Sequence, residues 1–232
     1  LNATRVLSLA SANLIEKDWN GNQTQNARKD EDLVLGADAS GTDNISVWFN
    51  QYNSASAFVA APSYTRIAPQ SVMALAIDTL GASSPIARPD VVTGTRNTTA
   101  GNFFVWLTQN SSGNEGYIPT SYNLAYRTAD AGDVQAVVTG DFAGGAMPDI
   151  VVGTKSPLAG RGTVEIWQSN DAATPAYTRQ EIMPPAGSVP GNMMGEVTTL
   201  ALADFDGDGR RDLVVGTRTS SYNGELLFFK NV

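Results

Sequence analysis

The sequence contains neither cysteine nor histidine. Their absence excludes disulfide bonds, zinc fingers, cysteine nucleophiles, histidine-dependent catalytic triads and histidine-ligated metals. Any metal that this chain binds must therefore be held by oxygen atoms.

Charged residues are also scarce. They make up 16% of the 232 residues, and the formal net charge is −8. Lysine and arginine do not cluster as a nucleic acid or an anionic membrane surface would require, so we expect no nucleic-acid partner. No stretch reaches the roughly 18 apolar residues of a membrane span, so we expect no direct membrane insertion.

The residues that are abundant favour strands and turns. The chain has 22 glycines and 42% hydrophobic residues, with many serines, threonines and asparagines between short apolar runs. This composition is typical of an all-β protein, and the length suits one large all-β domain or two small ones.

An internal repeat organises the chain. Four times an aspartate is followed by an apolar run and a glycine, at Asp32–Gly36, Asp90–Gly94, Asp149–Gly153 and Asp212–Gly216. Successive aspartates lie 58, 59 and 63 residues apart. An aromatic residue follows the aspartate after 16, 16, 18 and 16 residues, at Trp48, Trp106, Trp167 and Phe228. Two markers that keep the same spacing indicate a true repeat. We expect the glycine of each repeat to let the backbone turn where a side chain would clash.

Each unit offers about four strands. Another apolar run precedes the aspartate, and in three units a segment that starts at Tyr64, Tyr122 or Tyr177 follows the aromatic strand. Four short strands in about 60 residues match a propeller blade. The sequence therefore predicts an all-β propeller with blades at 1–70, 71–132, 133–192 and 193–232. A β-helix or a duplicated sandwich is the alternative, although neither repeats at this period.

The last unit lacks its outer strand, because only four residues follow Phe228. An unpaired blade edge is an aggregation liability. We therefore expect either a larger propeller, for example one with seven blades, or a partner strand that completes the last blade. A closed four-bladed ring with a three-stranded last blade is the alternative.

The fourth unit also contains a carboxylate-rich loop. Its carboxylates occupy positions 1, 3, 5 and 9, at Asp204, Asp206, Asp208 and Asp212. Carboxylates this close repel one another unless a cation lies among them. The carbonyl of Arg210 at position 7 can add a ligand, and a site of this kind suits calcium better than magnesium.

The loop has two other interpretations. An EF-hand needs a glutamate at position 12, where Val215 lies inside an apolar run, so that motif is excluded. The second alternative is a solvated turn whose charge is balanced by Arg210 and Arg211.

The run from Ala203 to Gly216 resembles the FG-GAP, or VCBS-type, repeat of integrin alpha-chain propellers and of many bacterial surface and secreted proteins. The resemblance implies a propeller with calcium in the loop between the first two strands of a blade, opposite the usual ligand surface. By that match the side chains of Asp204, Asp206, Asp208 and Asp212 and the carbonyl of Arg210 would bind the ion.

The other units depart from this pattern. In the third unit Asp141 and Asp149 are present, but Ala143 and Gly145 stand at the ligand positions, so no tight metal site is expected. The loop of the second unit, between Asp78 and Asp90, is longer and lacks carboxylates, and it is expected to be empty.

The first unit has an insertion that carries Asp18, Asn20 and Asn22 at ligand-like spacing. Fewer charges mean weaker calcium binding. The segment therefore predicts either a second, weaker metal site or a hydrogen-bonded Asx turn.

No phosphate-binding loop or nucleophile motif is visible. We expect a calcium-binding, non-catalytic module for protein or glycan binding, adhesion or assembly, located outside the cell, at its surface or in the periplasm. The alternatives are a propeller domain of a polysaccharide-acting enzyme or lectin, and a purely structural subunit of a large assembly.

Overall fold

The computed structural model describes most of the chain, with gaps. The described residues are 5–12, 14, 31–38, 43–50, 62, 64–81, 89–110, 116–119, 121–157, 160–172, 175–182, 194–219 and 223–232. Within these ranges the chain forms only strands, turns and bends, which confirms the all-β prediction. No described segment is a helix of the length and apolarity needed to cross a bilayer.

Four antiparallel sheets follow one another along the chain. The first sheet contains β1 (Val6–Ala12), β2 (Asp32–Ala37), β3 (Ile45–Trp48) and β4 (Tyr64–Arg66). The second contains β5 (Val72–Asp78), β6 (Asp90–Thr95), β7 (Phe103–Trp106) and β10 (Leu124–Tyr126), and a small hairpin of β8 (Gln109–Asn110) and β9 (Gly116–Tyr117) precedes its last strand.

The third sheet contains β11 (Asp133–Gly140), β12 (Asp149–Lys155), β13 (Val164–Ser169) and β14 (Tyr177–Ile182). The fourth has three strands, β15 (Glu196–Ala203), β16 (Asp212–Arg218) and β17 (Gly224–Phe229). Each sheet is a simple meander, as expected of a propeller blade. The predicted absence of a fourth strand from the last sheet holds among the described residues.

The core lies between consecutive sheets. One apolar cluster joins the first and second sheets, another the second and third, and a third the third and fourth. Large aromatic residues fill these layers: Trp106 is fully buried, and Trp167 packs edge-on against Phe103 of the preceding sheet with ring centroids 5.0 Å apart. Face-to-face packing of this kind explains why the second strands read as unbroken apolar runs.

A valine of each following sheet packs on a glycine of the preceding one, and we call each contact a Val–Gly junction. The pairs are Val72 on Gly36, Val134 on Gly94 and Val197 on Gly153. A Cβ atom on these glycines would lie 2.9, 3.1 and 2.9 Å from the valine Cβ, and all three valines are fully buried. Each valine stands at an irregularity in the register of its strand, which is where a β-bulge re-aims a side chain.

The junctions correct the expected role of the repeat glycine. It does not mark a turn, because Gly36, Gly94 and Gly153 lie inside strands that continue beyond them. The missing side chain makes room for the valine of the next sheet, so the glycine serves close approach between sheets.

The aromatic marker of the last unit was assigned one residue too early. Trp48, Trp106 and Trp167 each pair with the residue that follows the repeat aspartate. In the fourth sheet that residue, Leu213, pairs with Phe229, whereas Phe228 pairs with Val214. A shift of one residue moves a side chain to the other face of a strand, so Phe228 is half exposed while Phe229 packs on the core.

The two end sheets each present an uncovered face. Val6 and Leu9 of the first sheet are 52% and 59% exposed, and Leu226 and Phe228 of the fourth are 76% and 50% exposed. A closed four-bladed ring would cover these side chains, so the described part of the chain is an open stack of four sheets.

Candidate metal centre

The carboxylate-rich loop connects the first two strands of the fourth sheet. It starts after Ala203, which pairs with Asp212 across the two strands. Gly207 and Gly209 adopt φ angles of 80° and 89°, a left-handed region that favours glycine. These two residues let the short loop curl back on itself.

Hydrogen bonds inside the loop fix its carboxylates. Asp204 accepts the backbone N–H groups of Gly207 (2.7 Å) and Asp208 (3.1 Å) through Oδ1 and that of Gly209 (2.9 Å) through Oδ2. Asp206 accepts the N–H of Asp208, and Asp208 accepts that of Arg210. The backbone thus folds around the three side chains.

Three of the predicted ligands come together. Oxygen atoms of Asp204, Asp206 and Asp208 all lie within 4.8 Å of one another, and all three residues are exposed. Calcium binds oxygen at about 2.3–2.6 Å, so oxygens on opposite sides of one ion are about 5 Å apart. The three carboxylates therefore fit around a single calcium ion.

Asp212 lies deeper than the other predicted ligands. It is fully buried, and its two oxygens accept the N–H groups of Phe205 (3.0 Å) and Asn231 (2.9 Å). It thereby ties the start of the loop to the residue two positions after β17 ends. A ligand role for Asp212 therefore stays a prediction. The same holds for the Arg210 carbonyl, because the described contacts of Arg210 use its N–H and guanidinium groups.

The repeat aspartate makes the same contacts in every sheet. Asp32, Asp90 and Asp149, all buried, each accept one or two N–H groups from the connection after the first strand and another from the last residue of the third strand or just beyond it. Because three of the four sheets lack the full metal motif, this aspartate is primarily a structural residue. Burial raises the pKa of Asp90 to about 6, against the opposing effect of its hydrogen bonds with Thr108 and Leu80.

Two cationic side chains face the three-carboxylate cluster. The Nζ atom of Lys230 lies 2.5 Å from Asp206 and 3.6 Å from Asp208, and the Arg210 guanidinium lies 2.9 Å from Asp208. The hydrogen bond from the Arg210 N–H, with the nearby positive charges, holds the pKa of Asp208 below its usual value, and Asp206 raises the pKa of Lys230.

Lys230 was missed at the sequence level. Arg211, named there as a balancing charge, lies against Gly140 of the third sheet instead. Lys230 is 22 residues from Asp208 in sequence, and only the pairing of β16 with β17 brings it over the loop. Its position directly after the last strand is the signal that could have identified it.

The third sheet closes its equivalent loop without a full set of carboxylates. Asp141 accepts the N–H of Gly144, as Asp204 does that of Gly207. Asp171, from the hairpin after β13, accepts the N–H groups of Ala146 (2.9 Å) and Met147 (2.8 Å). The carboxylate of Asp171, which is not part of the loop, thus holds the loop backbone in place. The expectation that this loop binds no metal tightly stays a prediction.

The weaker site predicted at Asp18, Asn20 and Asn22 lies outside the described residues, and so does most of the loop between Asp78 and Asp90. Among the described residues, Asp204, Asp206 and Asp208 form the one group of three or more acidic side chains close enough to share a metal.

Comparison with known proteins agrees with this geometry. The family model of the FG-GAP repeat matches residues 197–228, which span the three-carboxylate cluster and nearly all of the three strands around it. No curated protein matches the chain. The likeness to integrin alpha chains stays an expectation, whereas the match assigns the cluster to a known repeat. The chain is therefore a protein with an FG-GAP repeat, and its fourth sheet is that repeat.

Proposed function

We propose that this chain is a calcium-stabilised, non-catalytic repeat module that presents a rigid surface to a protein or glycan partner outside the cell. The observation that carries the proposal is the cluster of Asp204, Asp206 and Asp208 within a matched FG-GAP repeat. The exposed cluster suits an environment rich in calcium, because extracellular modules bind this ion at about 10⁻⁴–10⁻³ M. FG-GAP repeats are typical of extracellular or surface proteins.

The role of the ion in this proposal is structural. The loop and the residues after β17 meet at Asp212 and Asn231, and the Asn231 amide also donates to the Phe142 carbonyl of the third sheet at 2.5 Å. An ion that fixes the loop would therefore stabilise both the fourth sheet and its contact with the third.

Calcium should raise the melting temperature of the intact chain. At a calcium concentration 100 times the Kd, binding to the native state adds about 3 kcal/mol. For a chain of this size that corresponds to a rise of roughly 5–10 °C. Asp208→Ala should abolish the rise, and differential scanning fluorimetry across a calcium titration measures it.

Glu225→Ala is the matched control, because Glu225 is an exposed acid on β17 outside the cluster. This variant should respond to calcium as the wild type does. An intact chain whose melting temperature is unchanged by calcium would contradict the proposal.

Lys230 should weaken calcium binding. Its ammonium group contacts Asp206 and Asp208 where the ion would lie, so calcium must displace it and overcome its repulsion. Lys230→Gln should tighten binding by about tenfold, measured by isothermal titration calorimetry, and should lower the melting temperature without calcium. An unchanged Kd would show that Lys230 does not compete.

Lys155→Gln controls for the change in net charge. Lys155 lies 3.4 Å from Glu196, which begins β15, whereas the carboxylate-rich loop follows the other end of that strand. The calcium affinity of this variant should stay close to that of the wild type because exposed charges beyond about 10 Å are screened by salt.

A further inference from the structure

Three β-bulges direct side chains into one cavity. In the first strands of the second, third and fourth sheets, the register skips the residue directly after the valine of each Val–Gly junction. The skipped residues are Met73, Gln135 and Thr198, and all three line a cavity of about 190 Å³. The cavity lies where these strands begin, whereas the three-carboxylate cluster follows the end of β15. Bulges re-aim side chains and are frequent beside binding sites, so the cavity is a candidate for a second site.

The charged residues of the cavity carry a net positive charge. Three cations and two carboxylates line it, namely Arg96, Lys155, Arg218, Asp133 and Glu196. This excess of one positive charge contrasts with the formal net charge of −8 of the whole chain. A cleft of positive charge on an acidic protein favours an anionic ligand.

The charges on either side of the second Val–Gly junction are already paired. At the third junction, Glu196 binds Lys155 through Oε1 at 3.4 Å and Arg218 through Oε2 at 2.8 Å. At the first junction, Asp38 pairs with Arg5 at 3.1 Å. These ion pairs need no ligand to complete them.

The polar groups at the second junction are not satisfied in this way. The described contact of the Arg96 side chain is a distant one, 3.8 Å to Asp38, and no described residue accepts a hydrogen bond from it. Asp133 accepts the N–H of Asn97 through Oδ1 at 3.1 Å, and no described cation forms an ion pair with it. The side-chain amide of Gln135 has no hydrogen-bond partner among the described residues.

The missing ion pair between Arg96 and Asp133 indicates what the cavity fits. These opposite charges line the same space, yet no ion pair joins them. A group that lies between them must offer an anionic acceptor to the guanidinium and a donor to the carboxylate. A sugar acid does both, because its ring carries a carboxylate beside hydroxyl groups. The Gln135 amide can donate to such a hydroxyl or accept from it.

Charge and size narrow the ligand further. A free amino acid also carries an anion and a donor, but its net charge is zero, so it would leave the positive excess uncompensated. The carboxylate of an acidic peptide side chain has no donor to offer Asp133. The cavity is also smaller than the roughly 300–1,000 Å³ of pockets that enclose drug-sized ligands, so it suits one residue of a longer chain.

We propose that this cavity binds one uronic-acid residue of an acidic glycan. The carboxylate of the sugar binds Arg96, and its hydroxyl groups bind Asp133 and Gln135. This inference rests on the proposed function, because it names the glycan class that the module would recognise.

NMR titration of the intact, isotope-labelled chain with methyl glucuronide tests the proposal. The amide signals of Asn97, Asp133 and Gln135 should shift saturably, with a Kd on the order of 1 mM because a single sugar residue makes few contacts. Methyl glucoside, which has a neutral CH₂OH group in place of the carboxylate, should bind at least about tenfold more weakly. N-acetylglutamate, an acid without hydroxyl groups, should also bind more weakly. Free calcium is held constant throughout, since uronic acids themselves bind this ion.

Variants of Arg96 locate the site. Arg96→Gln should weaken glucuronide binding by about tenfold and leave glucoside binding unchanged. The fold should tolerate it, because the side chain is 51% exposed and its ion pair is at the surface. Arg96→Lys keeps the charge but not the two-pronged geometry, so its affinity should fall between the two. Arg179→Gln is the control of equal charge, because Arg179 is exposed on β14, the outer strand of the third sheet, and this variant should bind as the wild type does.

The proposal is overturned if glucuronide causes no saturable shift, or if Arg96→Gln binds it as the wild type does. It is also overturned if glucoside binds equally well, or if N-acetylglutamate does, in which case an acidic protein segment would be the better partner. The melting temperature of the same samples separates this result from the calcium proposal. A chain that calcium stabilises but that does not respond to glucuronide would lose the glycan site alone.

Discussion

Gly153→Val should lower the free energy of unfolding by about 3 kcal/mol or more. A Cβ at this position would lie 2.9 Å from the Cβ of Val197 and closer still to its Cγ1. Val197 is fully buried in the cluster between the third and fourth sheets, so it cannot move aside without separating them. Forcing extra carbons into a packed core costs about 1–3 kcal/mol, and here the clash involves a β-branched side chain with little freedom of rotation.

Gly216→Val is the matched control. Gly216 holds the same place in the fourth sheet, but the nearest atom to an added Cβ is the Cγ2 of Thr199, 2.6 Å away on an exposed side chain that can rotate. This variant should lose less than about 1 kcal/mol, as surface substitutions usually do. Urea denaturation measures both values, and similar losses in the two variants would show that close packing between sheets does not explain the glycine.

Asp149→Ala should destabilise the protein by about 3 kcal/mol, with or without calcium. The buried carboxylate accepts three backbone N–H groups, from Phe142 (2.9 Å), Ala143 (2.8 Å) and Ser169 (2.9 Å). Alanine would leave these donors without their acceptor, and each unsatisfied buried group costs about 1–3 kcal/mol, less where water can enter.

Calcium separates this effect from that of the three-carboxylate cluster. The loss caused by Asp149→Ala should be the same with calcium and with a chelator, whereas the loss caused by Asp208→Ala should be much larger with calcium than with a chelator, where only its ion pairs with Arg210 and Lys230 are lost. Asp149→Asn keeps one acceptor oxygen and should lie between the wild type and alanine. If the loss from Asp149→Ala disappeared on chelation, the aspartate would be acting through a metal.

Much of the fold was predictable because the repeat is carried by local signals. The spacing of the aspartates placed the second strand of each sheet, and the tyrosine segments placed the fourth strands that start near Tyr64, Tyr122 and Tyr177. These signals can be recognised in a single sequence because the strands that pair within a sheet are neighbours along the chain.

The errors came from register and from contacts between sheets. Phe228 and Phe229 are both aromatic, and nothing in the sequence says which one pairs with Leu213. The glycines were interpreted as turns because their partners, such as Val197 for Gly153, lie in the next sheet. Contacts of this kind depend on how sheets stack, which the local pattern does not encode.

The candidate metal centre was predicted as a set of residues, not as an arrangement. Asp204, Asp206 and Asp208 meet as expected from their spacing. Asp212, predicted on the same ground, begins β16 and is buried by the sheet, and its role as a ligand stays a prediction. Spacing describes a loop well, but it cannot tell where the loop ends and the strand begins.

The separation of Asp212 from the three exposed carboxylates bears on how such repeats can diverge. In all four sheets the buried aspartate accepts the N–H of the residue two positions after the first strand ends, so this anchoring does not depend on whether an ion is bound. Substitutions at the three outer positions are therefore free of the penalty that a core mutation carries. Repeats of this type can gain or lose a metal one loop at a time while the blade persists, which allows a single chain to carry loops with different affinities.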